Sequence, residues 1–242
     1  YIMEWTVNSI NLKNNPLYYD QLNKIIFYKK KYNIKIPSIT CDYFMEKVFF
    51  KERKDRKKII MNIFKLIKNS EKIGSKYFVI PLVDNSSLKN KKQEIEIIEF
   101  VKKILTKFKK VNILFESDYE PKKLLNFIKK FKSKRVGINY DSGNSANMGY
   151  DFKDEKIYFE YVKNFHIKDR KLHGKTVRLG KGDANLKKIL IHMKKIKYKK
   201  NFILQTARNE QNEHLKEISI NRNYLLNLNL WKIWLLLVLM DH

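Results

Sequence analysis

Short apolar runs alternate with longer amphipathic segments along most of the chain. The apolar runs have the length of buried strands, and the longer segments repeat their apolar residues with a period near 3.6, as helices do. Alternation of this kind is typical of repeated strand–helix units. It predicts strands at residues 1–7, 34–42, 77–82, 111–116, 136–141, 164–168 and 201–207. The helices predicted to follow them span residues 16–32, 55–73, 91–108, 121–131, 154–162, 185–196 and 212–228.

Seven consecutive units favour an α/β fold with a parallel sheet whose strands are buried on both faces. A doubly wound sheet would give the same pattern, but no G-x-G-x-x-G or Walker sequence follows any predicted strand. We therefore expect a (β/α)8 TIM barrel that lacks its first strand and helix at the N-terminus. The 242 residues fit a single barrel domain, which normally takes about 250 residues. Residues 229–242 are expected to be an apolar C-terminal tail of this domain.

The net charge of +27 bears on the partners of the chain, because a strongly basic protein invites a nucleic-acid interpretation. However, only seven of the 52 basic residues are Arg, and Lys is scattered over nearly every predicted helix. Reading bases and clamping phosphates usually depend on Arg, whose planar guanidinium donates two parallel hydrogen bonds. We therefore expect no specific nucleic-acid partner.

The cysteine content and the hydropathy of the two ends bear on the compartment. Cys41 is the only cysteine, which excludes an internal disulfide and a Cys-rich zinc site and fits a reducing cytoplasm. The N-terminus lacks the basic and apolar stretches of a signal peptide. The longest apolar run, Leu230 to Met240, is interrupted by Lys232 and is shorter than the ~20 residues of a membrane span. We expect this run to pack on the barrel as a terminal helix; a contact with a membrane or partner is the alternative.

Polar residues stand at the end of each predicted strand. In a TIM barrel the carboxyl ends of the strands meet at one face, where the active site lies. A carboxylate at one such position is better explained as a cap of the next helix or as a salt-bridge partner, but recurrence on successive strands predicts convergence on one point. The strand-end residues are Glu4, Asp42, Asp84, Glu116, Asp141, His166 and Gln205.

Three of these residues, Glu116, Asp141 and His166, make a suitable set of metal ligands. Two carboxylates and a neutral imidazole suit Mn²⁺, Mg²⁺, Co²⁺ or Zn²⁺, with water or substrate completing the coordination. We therefore expect a divalent metal ion as cofactor. A role for His166 that is limited to hydrogen bonding in the barrel core is the alternative.

The local sequences around these residues resemble a known family. Asp-Ser-Gly-Asn at residues 141–144 and His-Ile-Lys-Asp at 166–169 resemble the D-x-G-N and H-x-K-D motifs of the sugar phosphate isomerase/epimerase group of xylose-isomerase-like TIM barrels. Leu-Gly-Lys-Gly-Asp at 179–183 is similar to the L-G-x-G loop of that family, and weaker matches extend over nearly the whole chain. The resemblance aligns residues 1–7 with the second barrel strand of the family.

The resemblance implies four metal ligands, of which the last is a second glutamate. Glu116, Asp141 and His166 match the first three, but the fourth position is Gln205. The resemblance further implies an isomerase or epimerase that moves a proton next to a carbonyl, with Glu116 and the residue at position 205 as the catalytic pair. Because Gln205 can ligate a cation but cannot accept a proton, a two-base epimerase is hard to reconcile with this chain. A one-base isomerase, with proton return by Glu116, water or Asp169, is the remaining enzymatic interpretation.

Five residues near the last strands are candidates to bind substrate. They are Lys168, Asp169, Arg170, Lys181 and Arg208. A solvated surface charge is the alternative for the four basic residues, and orienting His166 or pairing with Arg170 is the alternative for Asp169. Arg170 and Arg208 would clamp a phosphate or carboxylate, Lys181 lies between two glycines of a flexible loop, and Asp169 would also suit a role in orienting His166.

The leading hypothesis is therefore a metal-dependent sugar or sugar-phosphate isomerase/epimerase. A non-catalytic carbohydrate-binding relative is the first alternative, because of Gln205. A metal-dependent endonuclease at abasic DNA sites is a weaker alternative, because related nucleases bind several zinc ions through many His residues and only five occur here. The expected partner is a sugar or sugar phosphate, without a membrane span, and the oligomers common in the family make a homo-oligomer a further expectation.

Overall fold

Seven parallel strands form the central sheet of the protein. The structure is a computed structural model, and it describes residues 2–9, 12–19, 21–47, 49–50, 55–207 and 213–228. The strand order of this sheet is β1-β2-β3-β4-β5-β6-β9. A separate two-stranded hairpin is formed by β7 and β8, each two residues long. The strands are β1 Ile2–Thr6, β2 Lys35–Thr40, β3 Tyr77–Leu82, β4 Asn112–Ser117, β5 Val136–Asp141, β6 Val162–Ile167, β7 Asp169–Arg170, β8 Thr176–Val177 and β9 Asn201–Leu204.

Helices connect successive strands of the sheet, so that strand order follows chain order. Three 3-10 turns, Leu12–Asn14, Asp84–Ser86 and Lys156–Tyr161, join them. The α-helices are α1 Leu22–Lys31, α2 Asp42–Glu46, α3 Arg56–Lys72, α4 Lys91–Lys107, α5 Pro121–Lys129, α6 Ser142–Met148, α7 Phe152–Glu155, α8 Leu186–Lys195 and α9 His214–Asn227.

The sheet curls into a nearly closed barrel. Glu4 of β1 and His166 of β6 are 162 residues apart and five strands apart in the sheet, yet their side chains meet at 2.6 Å. Such a contact requires the sheet to fold back across its own interior. Within the described residues β1 and β9 are the two edges and do not pair with each other. The predicted barrel of seven strand–helix units is thereby confirmed.

Burial of the strands on both faces explains their sequence. All six residues of β3 and all six of β5 are buried, because the barrel interior covers one face and the helices cover the other. Large aromatic side chains such as Phe78, Phe115 and Phe165 are fully buried in the core. Removing this apolar surface from water stabilises the fold by roughly 1.5–3 kcal/mol for each large side chain.

Local signals set the helix ends where the sequence predicted them. The side chain of Asn90 accepts a hydrogen bond from the backbone N of Gln93 and caps α4. Pro121 occupies the first turn of α5, where its missing N–H costs nothing. Gly74 follows α3 with φ of +82°, a left-handed conformation that glycine adopts without strain, and so ends that helix as predicted.

Several elements differ from the periodic pattern. The helix predicted at 16–32 begins only at Leu22, because the side chain of Asn15 accepts a bond from the backbone N of Leu17 and forms a turn instead. The segment predicted as a helix at 154–162 is α7 followed by a 3-10 turn. Helices α2 and α6 were not predicted, since each follows its strand without a loop and is too short for a periodic signal.

No helix among the residues described has the length and apolarity needed to cross a membrane. The apolar run Leu230 to Met240 lies outside the described residues.

Candidate metal centre

Glu116, Asp141 and His166 converge at the carboxyl end of the barrel. Glu116 is next to the end of β4, Asp141 ends β5, and His166 is next to the end of β6, directly opposite Asp141 in the strand register. All three are buried, and one ligand atom from each lies within 4.8 Å of the other two. The Nδ1 atom of His166 is 3.3 Å from Oε2 of Glu116 and 3.8 Å from Oδ2 of Asp141.

Two amide side chains fix the carboxylate of Glu116. Asn139 donates to Oε2 at 2.9 Å, and Asn144 donates to Oε1 at 2.6 Å. Asn139 lies two residues before Asp141 on β5, so both side chains face the barrel interior. Glu116 is therefore held in one orientation before any ligand binds.

Asp141 has two roles that the sequence left as alternatives. Its Oδ1 atom accepts bonds from the backbone N of Gly143 at 2.8 Å and of Asn144 at 2.9 Å, which caps α6. Its Oδ2 atom is buried and accepts no hydrogen bond from the residues in the structure. The nearest cation is Nζ of Lys168, at 3.6 Å. One oxygen thus serves the helix, and the other remains available as a ligand.

His166 is oriented by a carboxylate on the opposite side of the barrel. Its Nε2 atom lies 2.6 Å from Oε1 of Glu4, and Thr40 donates to the same oxygen at 2.7 Å. Because a carboxylate only accepts, Nε2 carries a proton in this pair. The Nδ1 atom consequently faces Glu116 and Asp141.

Electrostatics in the cluster reflect an excess of carboxylates. Burial lowers the pKa of His166, but Glu4, Asp141 and Glu116 outweigh burial and raise this pKa well above its usual value. Burial raises the pKa of Asp141, yet Lys168 and His166 lower it to about 2. Asp42, the first residue of α2, has its pKa raised to about 7 by burial and by Glu116. The raised pKa of Asp42 thus reflects both its burial and the negative charge of Glu116 nearby.

These observations fit a bound divalent cation. Four carboxylates, those of Glu4, Asp42, Glu116 and Asp141, interact electrostatically with His166. Buried negative charge of this kind is costly unless it is paired or coordinates a metal. The free Oδ2 of Asp141 and the inward Nδ1 of His166 supply ligand atoms, and the oxygen and nitrogen donors suit a hard or borderline divalent ion.

Gln205 follows the last residue of β9. Its backbone N donates to the carbonyl of Ile167 at 2.9 Å, which continues the pairing of β9 with β6 to the level of the cluster. The side-chain Oε1 atom is buried and has no hydrogen-bond partner in the described ranges. A buried amide oxygen without a donor is a candidate ligand for a cation.

The candidate substrate residues occupy different positions. Lys168 lies beside Asp141, and its side chain is 20% exposed. Arg170 donates to Oδ1 of Asn144 at 3.1 Å and to the carbonyl of Gly174. Lys181 is exposed. Arg208 lies outside the described residues.

Asp169 is buried, and both of its oxygens are bonded to a loop. They accept bonds from the backbone N of Gly180 at 2.8 Å, Gly182 at 3.0 Å and Ala184 at 3.0 Å. The close packing leaves no room for a side chain at position 182, because a Cβ atom there would lie 2.0 Å from Oδ1 of Asp169. Asp169 therefore anchors the loop that carries Lys181.

From the sequence, no role is predicted for Asn139 and Asn164, and no contact is predicted between Glu4 and His166. Asn164 stands two residues before His166, as Asn139 stands two before Asp141, so a period of two along each strand places them on the same face. This spacing could have identified both asparagines as residues that face the barrel interior. No sequence pattern indicates the contact between Glu4 and His166, because this contact depends on closure of the barrel.

Residues 3–224 match the sequence profile of the family described as "Xylose isomerase-like TIM barrel". The chain belongs to this family. The match confirms the resemblance drawn from the motifs at 141–144 and 166–169. No curated protein has a significantly similar sequence.

Solved structures of xylose isomerase-like barrels are similar to this chain. A xylose isomerase domain protein from Planctomyces limnophilus gives a TM-score of 0.78 at 15% identity, over 94% of this chain and 88% of that one. The IOLI protein with a bound zinc atom gives 0.75 at 16% identity, over 96% and 90%. A D-psicose 3-epimerase from Clostridium cellulolyticum H10, solved with D-tagatose, gives 0.66 at 14% identity, over 92% and 81%. At these identities the likeness establishes the fold.

Proposed function

We propose that the chain is a metal-dependent isomerase or epimerase of a sugar or sugar phosphate, acting in carbohydrate metabolism. The observation that carries the proposal is the buried convergence of Glu116, Asp141 and His166 at the carboxyl end of a xylose isomerase-like barrel. Structural neighbours include a zinc-binding protein and sugar epimerases, which supports the same reaction class.

Glu116, Asp141 and His166 would hold the metal, with Gln205 as the fourth ligand. A bound divalent ion such as Mn²⁺, Mg²⁺, Co²⁺ or Zn²⁺ supplies a Lewis acid that polarises the oxygens of the substrate. The residues around it contribute orientation. Asn139 and Asn144 hold both oxygens of Glu116, and the cap of α6 holds Asp141.

Proton transfer falls to Glu116. Its carboxylate would take a proton from the carbon beside the substrate carbonyl and give it to the carbonyl carbon, while the hydroxyl proton moves between the two oxygens of the enediolate. Return of a proton from water to the opposite face of the first carbon would instead give the epimer. Gln205 cannot share this task, because an amide does not accept a proton at neutral pH. Asp169 is committed to three backbone amides, so we assign the return step to Glu116 or to water.

The cations beside the cluster favour an anionic substrate. Lys168 lies at the rim beside Asp141, and Arg170 reaches Asn144, which in turn contacts Glu116. A phosphate or carboxylate group on the substrate would find its charge partners there. This arrangement supports a sugar phosphate as the substrate class.

Exchange of hydrogen for deuterium tests the proposal without knowledge of the product. The chain, loaded with Mn²⁺ and incubated in D₂O with ketoses and ketose phosphates, is expected to exchange the proton beside the carbonyl. The Glu116→Gln variant should reduce the exchange rate by roughly 10²–10⁴-fold, the usual contribution of a general base. NMR spectroscopy of the substrates measures the rate.

The matched control is Glu99→Gln, which makes the same change at an exposed position of α4. It should exchange like the wild-type chain. Exchange that is equally fast in the Glu116→Gln variant would contradict a catalytic role for Glu116. Metal binding without exchange on any of these sugars would favour the non-catalytic relative.

A non-catalytic carbohydrate-binding protein is the second candidate function. It is favoured by Gln205, whose amide carries no charge and cannot accept a proton as a base. The Gln205→Glu substitution restores the charged ligand implied by the family resemblance. We expect it to strengthen Mn²⁺ binding by about tenfold, because an added negative charge near the ion is worth on the order of 1–2 kcal/mol at partly buried sites. Calorimetry of both chains measures the change. Weaker binding by Gln205→Glu would place residue 205 outside the coordination sphere.

An endonuclease is less well supported. The described residues contain one metal-ligating cluster, and it includes a single histidine, whereas several zinc ions held by many histidines are expected for such nucleases.

A further inference from the structure

Glu4 is a buried carboxylate to which the proposed reaction gives no direct role. It lies at the middle of β1, is 4% exposed, and points across the barrel interior to β6. Taking a carboxylate out of water costs free energy that its hydrogen-bond partners return only in part, so stability alone is a weak explanation for Glu4 at this position.

Hydrogen bonds connect the two oxygens of Glu4 to two different candidate metal ligands, His166 and Glu116. Oε1 lies 2.6 Å from Nε2 of His166. Oε2 accepts a bond at 2.8 Å from Nδ2 of Asn164, which also donates at 2.7 Å to Oδ1 of Asn139. The amide of Asn139 then donates at 2.9 Å to Oε2 of Glu116.

The same chain of bonds fixes the histidine nitrogen that faces the cluster. Because Asn164 donates to Oδ1 of Asn139, the Nδ2 group of Asn139 must point the other way, toward Glu116 and Nδ1 of His166, which it approaches at 3.2 Å. A donor beside Nδ1 leaves that atom as the acceptor and places the imidazole proton on Nε2. Nδ1 is therefore free to bind a metal.

We propose that Glu4 is a positioning residue, which presents Nδ1 of His166 to the metal and holds Glu116 in register through Asn164 and Asn139. The inference rests on the metal centre of the proposed function. A carboxylate that accepts from the distal nitrogen of a ligating histidine fixes the ring orientation and raises its strength as a ligand.

The Glu4→Gln variant tests this role, because glutamine keeps the shape and an acceptor oxygen but loses the charge. We expect its affinity for Mn²⁺ and Zn²⁺ to fall 10–100-fold, the usual effect of removing such a partner. The matched control is Glu94→Gln, which makes the same change at another buried glutamate, one that accepts bonds from Tyr119 and Lys130. It should bind both metals like the wild-type chain.

A spectroscopic measurement separates positioning from a general effect on the fold. In the Zn²⁺-loaded wild-type chain, ¹H–¹⁵N correlation spectra should show the His166 proton on Nε2, shifted far downfield by the charged acceptor. In Glu4→Gln this proton should move upfield, while circular dichroism stays unchanged. If Glu4→Gln does not fold, the wild-type spectrum still decides: a proton on Nδ1 overturns the proposal.

The remaining outcomes also discriminate. Equal metal affinity of Glu4→Gln and wild type would overturn the positioning role, as would an equal loss in Glu94→Gln. Failure of the deuterium exchange would remove the proposed reaction but leave this inference intact, because its readouts are affinity and proton position. A wild-type chain that binds neither metal would overturn both.

Discussion

Replacing His166 by alanine is expected to lower the affinity for Mn²⁺ and Zn²⁺ by on the order of 100-fold or more, since it removes one of three buried ligands at the centre of the cluster. The substitution also leaves the carboxylates of Glu4, Glu116 and Asp141 without their shared cationic or hydrogen-bonding partner. Calorimetric titration of the purified chain gives both the affinity and the number of ions bound, for which we expect one per chain.

His173→Asn is the control for this experiment. His173 is an exposed loop residue with a φ of +51°, a conformation that asparagine tolerates. This variant loses a histidine without disturbing the barrel, so its binding should equal that of the wild-type chain. Unchanged binding in His166→Ala, or equal losses in both variants, would show that the ion binds elsewhere.

Metal affinity is expected to fall steeply as the pH is lowered. Burial lowers the pKa of His166, but Glu4, Asp141 and Glu116 outweigh burial and raise it well above the usual value near 6.5, so protons compete with the metal for Nδ1 as the pH falls. A ligating imidazole must lose that proton, and each unit of pH below the pKa therefore weakens binding by about tenfold. The pKa of Asp141 is about 2, so Asp141 stays ionised throughout and does not contribute to this slope.

Competition titrations with Mn²⁺ at pH 8, 7, 6 and 5 measure the slope. Calorimetry in buffers of different ionisation enthalpy counts the protons released, and we expect about one per ion bound. Affinity that stays constant over this range, without proton release, would exclude His166 as a ligand.

The sequence predicted the barrel and the convergence of three candidate ligands because both depend on local pattern. Apolar runs located the strands, and the final polar residue of a run identified Glu116, Asp141 and His166. Capping of α6 by Asp141 could be anticipated from the residue type, although the helix itself was too short to show a period. Inference from strand ends works here because parallel strands present their carboxyl ends at one face.

The supporting bonds could not be predicted, because they depend on closure in three dimensions. Glu4 belongs to the first described strand and His166 to the sixth, and no sequence spacing relates them. Asp169 was expected beside the substrate, but the fold of the loop at 178–184 gives its oxygens to backbone amides. The hydrogen bonds of Asp169 depend on where those backbone amides lie and not on the residue types, so the sequence does not predict them.

The bond between Glu4 and His166 also has a consequence for the order of folding. It joins residues 162 positions apart, so forming it requires closing a loop that includes most of the chain. Closing such a loop costs conformational entropy before the contact forms, so contacts between residues far apart in the chain form late in folding. Neighbouring strands of the sheet are connected by far fewer residues than separate Glu4 from His166, so they can pair first. The bond from Glu4 to His166 then forms only when the sheet curls far enough for β1 to face β6, so a partly folded chain would lack the carboxylate that orients His166.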